Sequence, residues 1–427
     1  MPDSAATAAS ASRALGLTRS LISRLGPRPA ASPQTAACAS ALADHVGDSA
    51  DHVRTETFTV HPGAFLGWIR VLVLVYAIAV AGLWMDLPLV AAVLVTVGLA
   101  VMVAEFFLYR EALDPFFPRR TGTNLLATLE PTGEVRGELI VSGHHDSARV
   151  FNFLVHQPSL YPVRVFGGIG SLVLLFLVSW VLSVQSLVTG SVPAWSTAAA
   201  IGFSVLFLLV GQLWWFASSR HTEGAGDNLA SSCAAIEFLR DMAGERSAGH
   251  GLAHLRITAA SWDAEECGLR GSRAWRRARA VADSARTSEG DSQLALARAS
   301  NHPVWNLNLE CLYDPADFFL LTSDINGSVG LSAELASRCS ALLSCEGRPN
   351  VPINPIAFLT GGTDAAETAR AGAQSTTLMG MPWGNAERSA VYHTPADTVD
   401  SVSEQAVADA IGLATALARE LDRELRA

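Results

Sequence analysis

The sequence predicts an α/β layered fold that is interrupted by two pairs of membrane-length apolar segments. Strand-like runs alternate with helix-like segments outside residues 65–109 and 165–217, and such alternation is typical of a sheet covered by helices. Within those two ranges lie four apolar runs of about twenty residues, the length that a helix needs to cross roughly 30 Å of hydrocarbon. A mean hydropathy of +0.28 and an apolar fraction of 50% agree with membrane segments joined to a globular domain.

Charge and cysteine usage restrict the kinds of partner and compartment. The net charge is −10, all basic residues are arginine, and no cluster of them resembles a nucleic-acid footprint, so nucleic acid is not expected as a partner. The six cysteines show no C-x-x-C spacing, so buried free thiols in a reducing compartment are expected, with a Cys339–Cys345 disulfide as the alternative. Residues 1–4 lack a basic stretch leading into an apolar one, so no cleaved signal peptide is expected.

The chain begins with two predicted helices and a strand. Residues 1–12 are rich in Ala and Ser and are expected to be frayed. Residues 15–25 have helical apolar spacing and are followed by a Gly-Pro-Arg-Pro stop. Ser32 suits an N-cap and the proline after it a first helical position, which predicts a second helix over 32–46. Residues 53–60 alternate Thr with Phe or Val and predict a strand.

Four apolar runs predict two membrane hairpins: 65–84 with 88–109, and 165–188 with 194–216. Buried core helices are the alternative, but four such runs would need a far larger soluble body to cover them. Arginines flank the ends away from the short turns, so the positive-inside bias predicts that both termini and the polar sequence are cytoplasmic. These residues are Arg54, Arg70, Arg110, Arg119, Arg120, Arg164 and Arg220.

The remaining sequence predicts one domain into which the hairpins are inserted. Its parts are 13–62, 119–160 and 220–427, and the inserted hairpins are 65–109 and 165–217. From hydrophobic periodicity, the further predicted strands are 123–129, 137–142, 304–309 and 355–359, and the further predicted helices are 227–241 and 403–425. Residues 285–300 are polar and rich in Ser and Arg, and we expect them to form a surface loop with some helix.

An acidic pair follows a strand predicted at 255–260. Glu265 and Glu266 therefore lie at the C-terminal end of a strand, where open α/β sheets place their chemistry. Neighbouring side chains that leave a strand point in different directions, so one carboxylate can bind a metal while the other faces the reacting water. By itself, an acidic pair before a glycine is more often a solvated turn.

Four other stretches could complete a metal site. His144 ends a predicted strand and Asp146 follows two residues later, which suits a metal ligand whose other ring nitrogen is held by a carboxylate. Asp227 opens a predicted helix on a Gly-rich turn, where an N-cap is the simpler interpretation. Glu310 ends another predicted strand, and His393 stands in the stretch V-Y-H-T-P-A-D-T.

These five stretches together resemble the M28 family of co-catalytic zinc peptidases, which includes leucyl-type aminopeptidases and glutamate carboxypeptidase II. The resemblance extends over almost all of the polar sequence: 26–29 and 55–60 resemble the family's opening helix and strand, and 392–398 its most specific signature. It implies a mixed, mostly parallel central sheet flanked by helices in three layers. It also implies two zinc ions per chain.

The resemblance implies a role for each of eight residues: His144 and Glu310 as ligands of the first zinc, Asp227 as the bridging ligand, Glu266 and His393 as ligands of the second zinc, Asp146 as the partner that orients His144, Glu265 as the general base, and Tyr392 as a group that polarises the substrate carbonyl. Glu310 stands where the family usually has Asp and is one methylene longer. Residues 361–364 and 381–384 precede His393 and are expected to border the substrate pocket.

The expected function is peptide-bond hydrolysis by a membrane-embedded di-zinc metallopeptidase of the aminopeptidase type. A metal-bridging hydroxide would attack the carbonyl between zinc ions about 3.5–4 Å apart, and Glu265 would move the proton to the leaving amine. The expected partners are a peptide or aminoacyl substrate and the lipid bilayer of the cell membrane. Two alternatives stay open: a single-zinc enzyme resembling glutaminyl cyclase, and a non-catalytic membrane scaffold with the peptidase fold.

Overall fold

The computed structural model describes residues 4–285, 302–344, 350–383 and 390–426 of the 427-residue chain. The chain divides into two compact units. The sheet unit comprises Met1–Pro62, Arg119–Arg149 and Arg220–Ala427, and the helical unit comprises Gly63–Pro118 and Val150–Ser219.

The described residues form helices and strands that are numbered in chain order. The helices are α1 (Ser4–Leu25), α2 (Pro33–Val46), α3 (Ala64–Trp84), α4 (Pro88–Met102), α5 (Asn152–Val155), α6 (Tyr161–Thr189), α7 (Ser196–Gly211), α8 (Ala230–Glu245), α9 (Arg270–Ala285), α10 (Ala333–Ser344), α11 (Ala365–Arg370) and α12 (Glu404–Arg426). The strands are β1 (His52–Val60), β2 (Arg120–Leu129), β3 (Gly137–His144), β4 (Arg149–Phe151), β5 (Ala217–His221), β6 (Leu255–Trp262), β7 (Val304–Glu310), β8 (Phe318–Leu321), β9 (Ser323–Asp324), β10 (Val329–Gly330), β11 (Ile353–Asn354) and β12 (Gln374–Gly380).

An eight-stranded sheet forms the centre of the sheet unit, in the order β1-β2-β6-β3-β7-β12-β8-β11. Strands β6, β3, β7 and β12 run parallel, as do β8 and β11, whereas β1–β2, β2–β6 and β8–β12 are antiparallel pairs. Every residue of β3 is buried, as expected for a parallel strand that is covered on both faces. The predicted mixed, mostly parallel sheet is therefore confirmed.

Helices cover both faces of this sheet. On one face, residues of α1, α2, α8, α10 and α12 share a core with Leu125 and Ala127 of β2. On the other face, Trp275 of α9 packs with Leu126 and Ile140. Consecutive β2 residues enter opposite cores because side chains alternate along a strand. The predicted three-layer α/β arrangement is confirmed.

The N-terminal segment is helical. Because α1 already begins within residues 1–12, the expectation that they are frayed is wrong for their described part. Arg13 of α1 donates to the buried carboxylate of Glu237 in α8 at 2.7 Å. His45 of α2 and Arg240 also lie 2.7 Å from that carboxylate. Glu237 therefore joins three helices, and this packing holds a segment that composition alone would leave loose.

Two predicted elements differ from the structure. Residues 355–359 do not form a strand, because β11 ends before them, Phe358 is 61% exposed and Leu359 turns the chain with a φ of 64°. The helix predicted from residue 227 begins only at Ala230, since the two residues after Gly226 have non-helical dihedral angles. The strand prediction is therefore wrong, whereas the helix prediction is right in kind but starts three residues too early.

The cysteines that the structure describes are buried. Cys38, Cys233 and Cys267 carry free thiols, as the spacing predicts. The alternative disulfide involves Cys345, which lies outside the described residues. The excursion expected over 285–300 also lies outside them, apart from the last residue of α9.

The helical unit contains four helices that are long and apolar enough to cross a membrane: Ala64–Trp84, Pro88–Phe107, Pro158–Thr189 and Ser196–Trp215. Helices α3 and α6 each pack against both α4 and α7, so the four form a closed bundle. The Tyr76 hydroxyl donates to the Phe203 carbonyl at 2.9 Å, and the Trp180 indole N–H donates to the Thr96 hydroxyl at 3.0 Å. Pairing between helices avoids leaving polar groups unsatisfied in apolar surroundings.

Candidate metal centre

The predicted ligands lie at the carboxyl ends of the parallel strands. His144 is the last residue of β3 and Glu310 the last of β7, and Glu265 and Glu266 lie in the turn after β6. Because these strands are parallel neighbours, their ends meet at one edge of the sheet. Two irregular segments supply the other ligands: the loop before α8 carries Asp227, and the turn before α12 carries the second histidine, at position 393.

Asp227 lies between the two histidines. Its Oδ1 is 3.3 Å from Nε2 of His144, and its Oδ2 is 3.2 Å from Nε2 of His393. Glu310 Oε1 is 3.3 Å from His144 Nε2, and Glu266 Oε1 is 3.6 Å from His393 Nε2. The ligand atoms form three groups, in each of which all atoms lie within 4.8 Å of one another: His144–Asp227–Glu310, Asp227–Glu266–His393 and His144–Glu265–Glu266. The first two of these groups contain all five predicted ligands. The two groups share the Asp227 carboxylate.

The chemistry of these side chains fits zinc. Imidazole nitrogens and carboxylate oxygens are both zinc ligands. Nε2 of His144 and Oδ2 of Asp227 are buried, yet neither makes a hydrogen bond within the described part of the chain, although polar atoms lie 3.2–3.3 Å away. Because buried polar atoms normally have hydrogen-bond partners, these two atoms fit coordination of a cation better than hydrogen bonding.

The electrostatics of the cluster also favour a cation. Burial and the neighbouring carboxylates raise the pKa of Glu265 and of Glu266 well above the ordinary value. Burial alone would lower the pKa of His144, but the charges of Glu265 and Glu310 outweigh it and hold the pKa well above its usual range. Burial would raise the pKa of Asp227, but the two histidine rings beside its carboxylate lower it instead. Positive charge at the centre would relieve the repulsion between the carboxylates.

Asp146 lies where it can orient several groups at once. Its Oδ1 is 3.2 Å from Nδ1 of His144. Its two oxygens also accept the backbone N–H groups of Glu265 and Glu266, at 3.2 Å each. One fully buried carboxylate therefore fixes both the imidazole ring and the turn that carries the acidic pair. A carboxylate behind a ligating histidine sets the ring's tautomer and orientation.

Two residues that hold the ligand loops were not assigned a role from the sequence. The fully buried Arg28 donates to the carbonyls of His145 and Gly224, at 2.8 and 2.9 Å, and so joins the loops that carry the first histidine and the shared aspartate. Asp397 accepts the Gly226 N–H at 2.8 Å. Both residues lie in stretches that the family resemblance includes, but their backbone partners are evident only from the fold.

The other predicted site residues lie close by. The ring of Tyr392 is 4.0 Å, centre to centre, from that of His393. Of the stretches expected to border the substrate pocket, the first contains Asp364, whose charge contributes to the raised pKa of Glu265. The second ends at residue 384, which lies outside the described residues. The border of the substrate pocket stays a prediction.

Comparisons with known proteins agree with this arrangement. Residues 210–418 match the model of peptidase family M28. A zinc aminopeptidase from Bacillus subtilis is 13% identical, with 96% of this chain and 95% of that chain covered and a TM-score of 0.53. A Zn-dependent exopeptidase from Parabacteroides distasonis is 11% identical, with 96% and 97% covered and a TM-score of 0.52. A glutaminyl cyclase from Fimbriiglobus ruber is 13% identical, with 94% and 92% covered and a TM-score of 0.51.

A comparison with curated proteins found no match. At these low identities the solved structures show the shared fold, and the family model gives the assignment. The match begins near the end of the fourth apolar helix and includes four of the five ligand positions and the acidic Glu265, with His144 and Asp146 N-terminal to it. Residues 210–418 therefore match the peptidase domain of family M28, and this match supports a zinc metallopeptidase.

Proposed function

We propose that this chain is a membrane-embedded, di-zinc metallopeptidase of the aminopeptidase type. The observation that carries the proposal is the division of the Asp227 carboxylate between two ligand groups, one around His144 and one around His393. A single-metal site would need only one of these groups. The fold that the chain shares with a zinc aminopeptidase and a zinc exopeptidase supports the proposal.

In this proposal His144 and Glu310 would hold the first zinc, Glu266 and His393 would hold the second, and both sites would share Asp227. Bound zinc would supply Lewis acidity at the scissile carbonyl and would make the attacking water more acidic. Every other step is assigned to side chains of the chain itself.

Glu265 is the proposed general base. Its carboxylate lies outside the two groups that share Asp227 and forms a third group with His144 and Glu266, in which its Oε2 is 3.8 Å from Nε2 of His144. Because we assign the two zinc ions to the groups that share Asp227, Glu265 is left to take a proton from the attacking water and deliver it to the leaving amine. Asp146 accepts the Glu265 backbone N–H and so fixes the backbone position from which the Glu265 side chain extends. Tyr392, whose ring lies 4.0 Å from that of His393, is the proposed group that polarises the substrate carbonyl.

The zinc content and turnover of purified protein test this proposal. We expect two zinc ions per chain by elemental analysis and cleavage of aminoacyl amides. Glu265→Gln keeps the size of the side chain but removes the base, so we expect turnover to fall by about 10²–10⁴-fold with zinc retained. Glu134→Gln, at an exposed position in the turn between β2 and β3, is the matched control and should change neither quantity.

The same measurements distinguish a peptidase from a glutaminyl cyclase. The chain also shares its fold with a glutaminyl cyclase, at a TM-score of 0.51. One zinc per chain together with cyclisation of N-terminal glutamine would replace the peptidase proposal by that alternative. Zinc binding without turnover of any amide, and cell function unchanged by Glu265→Gln, would instead support a non-catalytic scaffold.

We further propose that the helical unit lies in the lipid bilayer with the catalytic unit on the cytoplasmic side. The four membrane-length helices support membrane embedding. The proposal that the catalytic unit is cytoplasmic rests on the arginines that flank the helices, because flanking arginines favour the cytoplasmic face of a membrane. A reporter enzyme fused after residue 427 should be active only when retained in the cytoplasm. Activity confined to the opposite side would overturn this orientation.

A further inference from the structure

One side chain holds the backbone on both sides of Glu310. The carboxamide of Asn228 donates from Nδ2 to the Leu309 carbonyl at 2.8 Å and accepts the Cys311 N–H at its Oδ1 at 3.3 Å. Asn228 is fully buried, so no solvent competes for these two bonds. The peptide groups before and after Glu310 are therefore tied to the same planar group.

The chain needs such support at this point. Strand β7 ends at Glu310, and Cys311 adopts a φ of 52°, in the left-handed region that non-glycine residues seldom occupy. A conformation of this kind persists only where its surroundings hold it. The bond from the Cys311 N–H to Asn228 is one of the contacts that hold this turn.

The carboxylate of Glu310 is steadied separately. Asn308 lies two residues earlier on the same face of β7, and its Nδ2 donates to Glu310 Oε2 at 3.4 Å. The Ser142 hydroxyl donates to Oδ1 of Asn308 at 2.9 Å, which fixes the amide's orientation. Glu310 Oε1 is left facing His144 Nε2 at 3.3 Å. The side chain has one more rotatable bond than aspartate, so it depends more on these supports.

We propose that Asn228 is a positioning residue that couples the bridging ligand Asp227 to Glu310, so that the two carboxylates of the first metal group are set by one short segment. This inference rests on the proposed di-zinc function. Asn228 follows Asp227 directly in the chain, and its side chain grips the backbone of the other carboxylate ligand. An amide suits this position because it offers a donor for the carbonyl and an acceptor for the N–H on two separate atoms.

Stepwise zinc affinity, measured by competition with a chromogenic chelator on the full-length protein, tests this coupling. We expect Asn228→Ala to lower the affinity for the zinc ion of the His144–Asp227–Glu310 group by about 10–100-fold, the usual effect of losing a partner that orients a ligand. The other ion, held by Glu266, His393 and the shared Asp227, should lose less affinity, because the two bonds of Asn228 fix the backbone of Glu310, which belongs to the first group alone.

The control variant is Asn306→Ala. Asn306 is a buried amide on the same strand that donates to the Thr368 hydroxyl at 2.9 Å, and its Oδ1 lies 3.1 Å from the Ser142 hydroxyl oxygen, whose proton goes to Asn308. Its side chain does not bond to the peptides that flank Glu310. It should lower thermal stability while leaving both zinc affinities unchanged. If Asn228→Ala fails to fold, Asn228→Asp replaces it: it keeps the size of the side chain and the acceptor for the Cys311 N–H, but it cannot donate to the Leu309 carbonyl and should lower the affinity for the same ion.

The outcomes separate the two proposals. Fewer than two zinc ions on the unmodified protein would refute the di-zinc function itself. Two ions on that protein, with unchanged affinities in Asn228→Ala, would refute only the coupling. Equal weakening of both ions by Asn228→Ala and by Asn306→Ala would show a general structural role and would also overturn the inference.

Discussion

Replacement of Arg28 by methionine measures how much one buried guanidinium stabilises the sheet unit. The side chain is fully buried and donates to three backbone carbonyls, those of Gly26, His145 and Gly224, at 2.8–3.1 Å. Methionine keeps most of the apolar stem and removes all three bonds. Hydrogen bonds to a charged group contribute about 1.5–3 kcal/mol each, or about 4.5–9 kcal/mol together.

Part of that loss is offset. Burial lowers the pKa of Arg28, which shows that the charged group is desolvated in the fold. Removing a desolvated charge recovers several kcal/mol. The expected net loss is therefore about 3–5 kcal/mol of unfolding free energy.

Hydrogen exchange of the β3 amides is the suitable assay, because a chain of two compact units need not unfold in a single step. The slowest β3 amides should exchange about 10²–10⁴-fold faster in Arg28→Met, since each 1.36 kcal/mol corresponds to a factor of ten. Arg19→Met is the matched control: Arg19 is exposed and lies 3.2 Å from the exposed Asp400, so it should cost under about 1 kcal/mol. Acceleration of less than tenfold in Arg28→Met would refute the reasoning.

Two further predictions concern the ligand loop and acid stability. A Cβ added at Gly226 would lie 2.0 Å from the Tyr313 ring, so Gly226→Ala should displace Asp227 and lower the zinc content in elemental analysis. The control is Gly244→Ala, which has open space around its Cβ and should not change the zinc content. Equal zinc in both variants would contradict this prediction. Burial alone would raise the pKa of Glu237, but hydrogen bonds from three bases hold that pKa below its ordinary value of 4.5. The stability that this ionised carboxylate contributes is therefore present above pH 4.5 and is lost as the pH falls through the lowered pKa. Glu237→Gln should therefore flatten the acid limb of a stability–pH curve, and an unchanged limb would count against this ion cluster.

The positions of the ligands could be predicted because local signals coincide at them. His144 and Glu310 each end a strand, and parallel strands that end together bring their last residues to one edge. The stretch around His393 is the most specific signature of the family resemblance, and it led to the prediction of His393 as a ligand. The structure brings all five predicted ligands together, whereas the metal count and the individual roles stay predictions.

The missed features depend on contacts that no local pattern contains. Strand β12 is rich in Ser and Thr, so hydrophobic periodicity did not predict it, yet all of its residues after the first are buried. Its polar side chains can be buried because their hydroxyls have partners: Thr376 donates to the Leu321 carbonyl at 2.9 Å, and the Thr377 and Thr363 hydroxyls are 2.7 Å apart. Arg28 and Asn228 act on backbone groups more than 80 residues away in sequence. Such partners become visible only when the fold is known.

The strand order has a consequence for synthesis on the ribosome. Strand β6 lies between β2 and β3, although it follows both in sequence with the second apolar hairpin in between. Strands β2 and β3 are thus translated well before the neighbour that each of them pairs with, and their edges stay open during that interval. Open edges of this kind invite pairing with other chains, and non-local pairing is slow to form. Nascent chains released before β6 has emerged should therefore be the form that chaperones bind and proteases degrade.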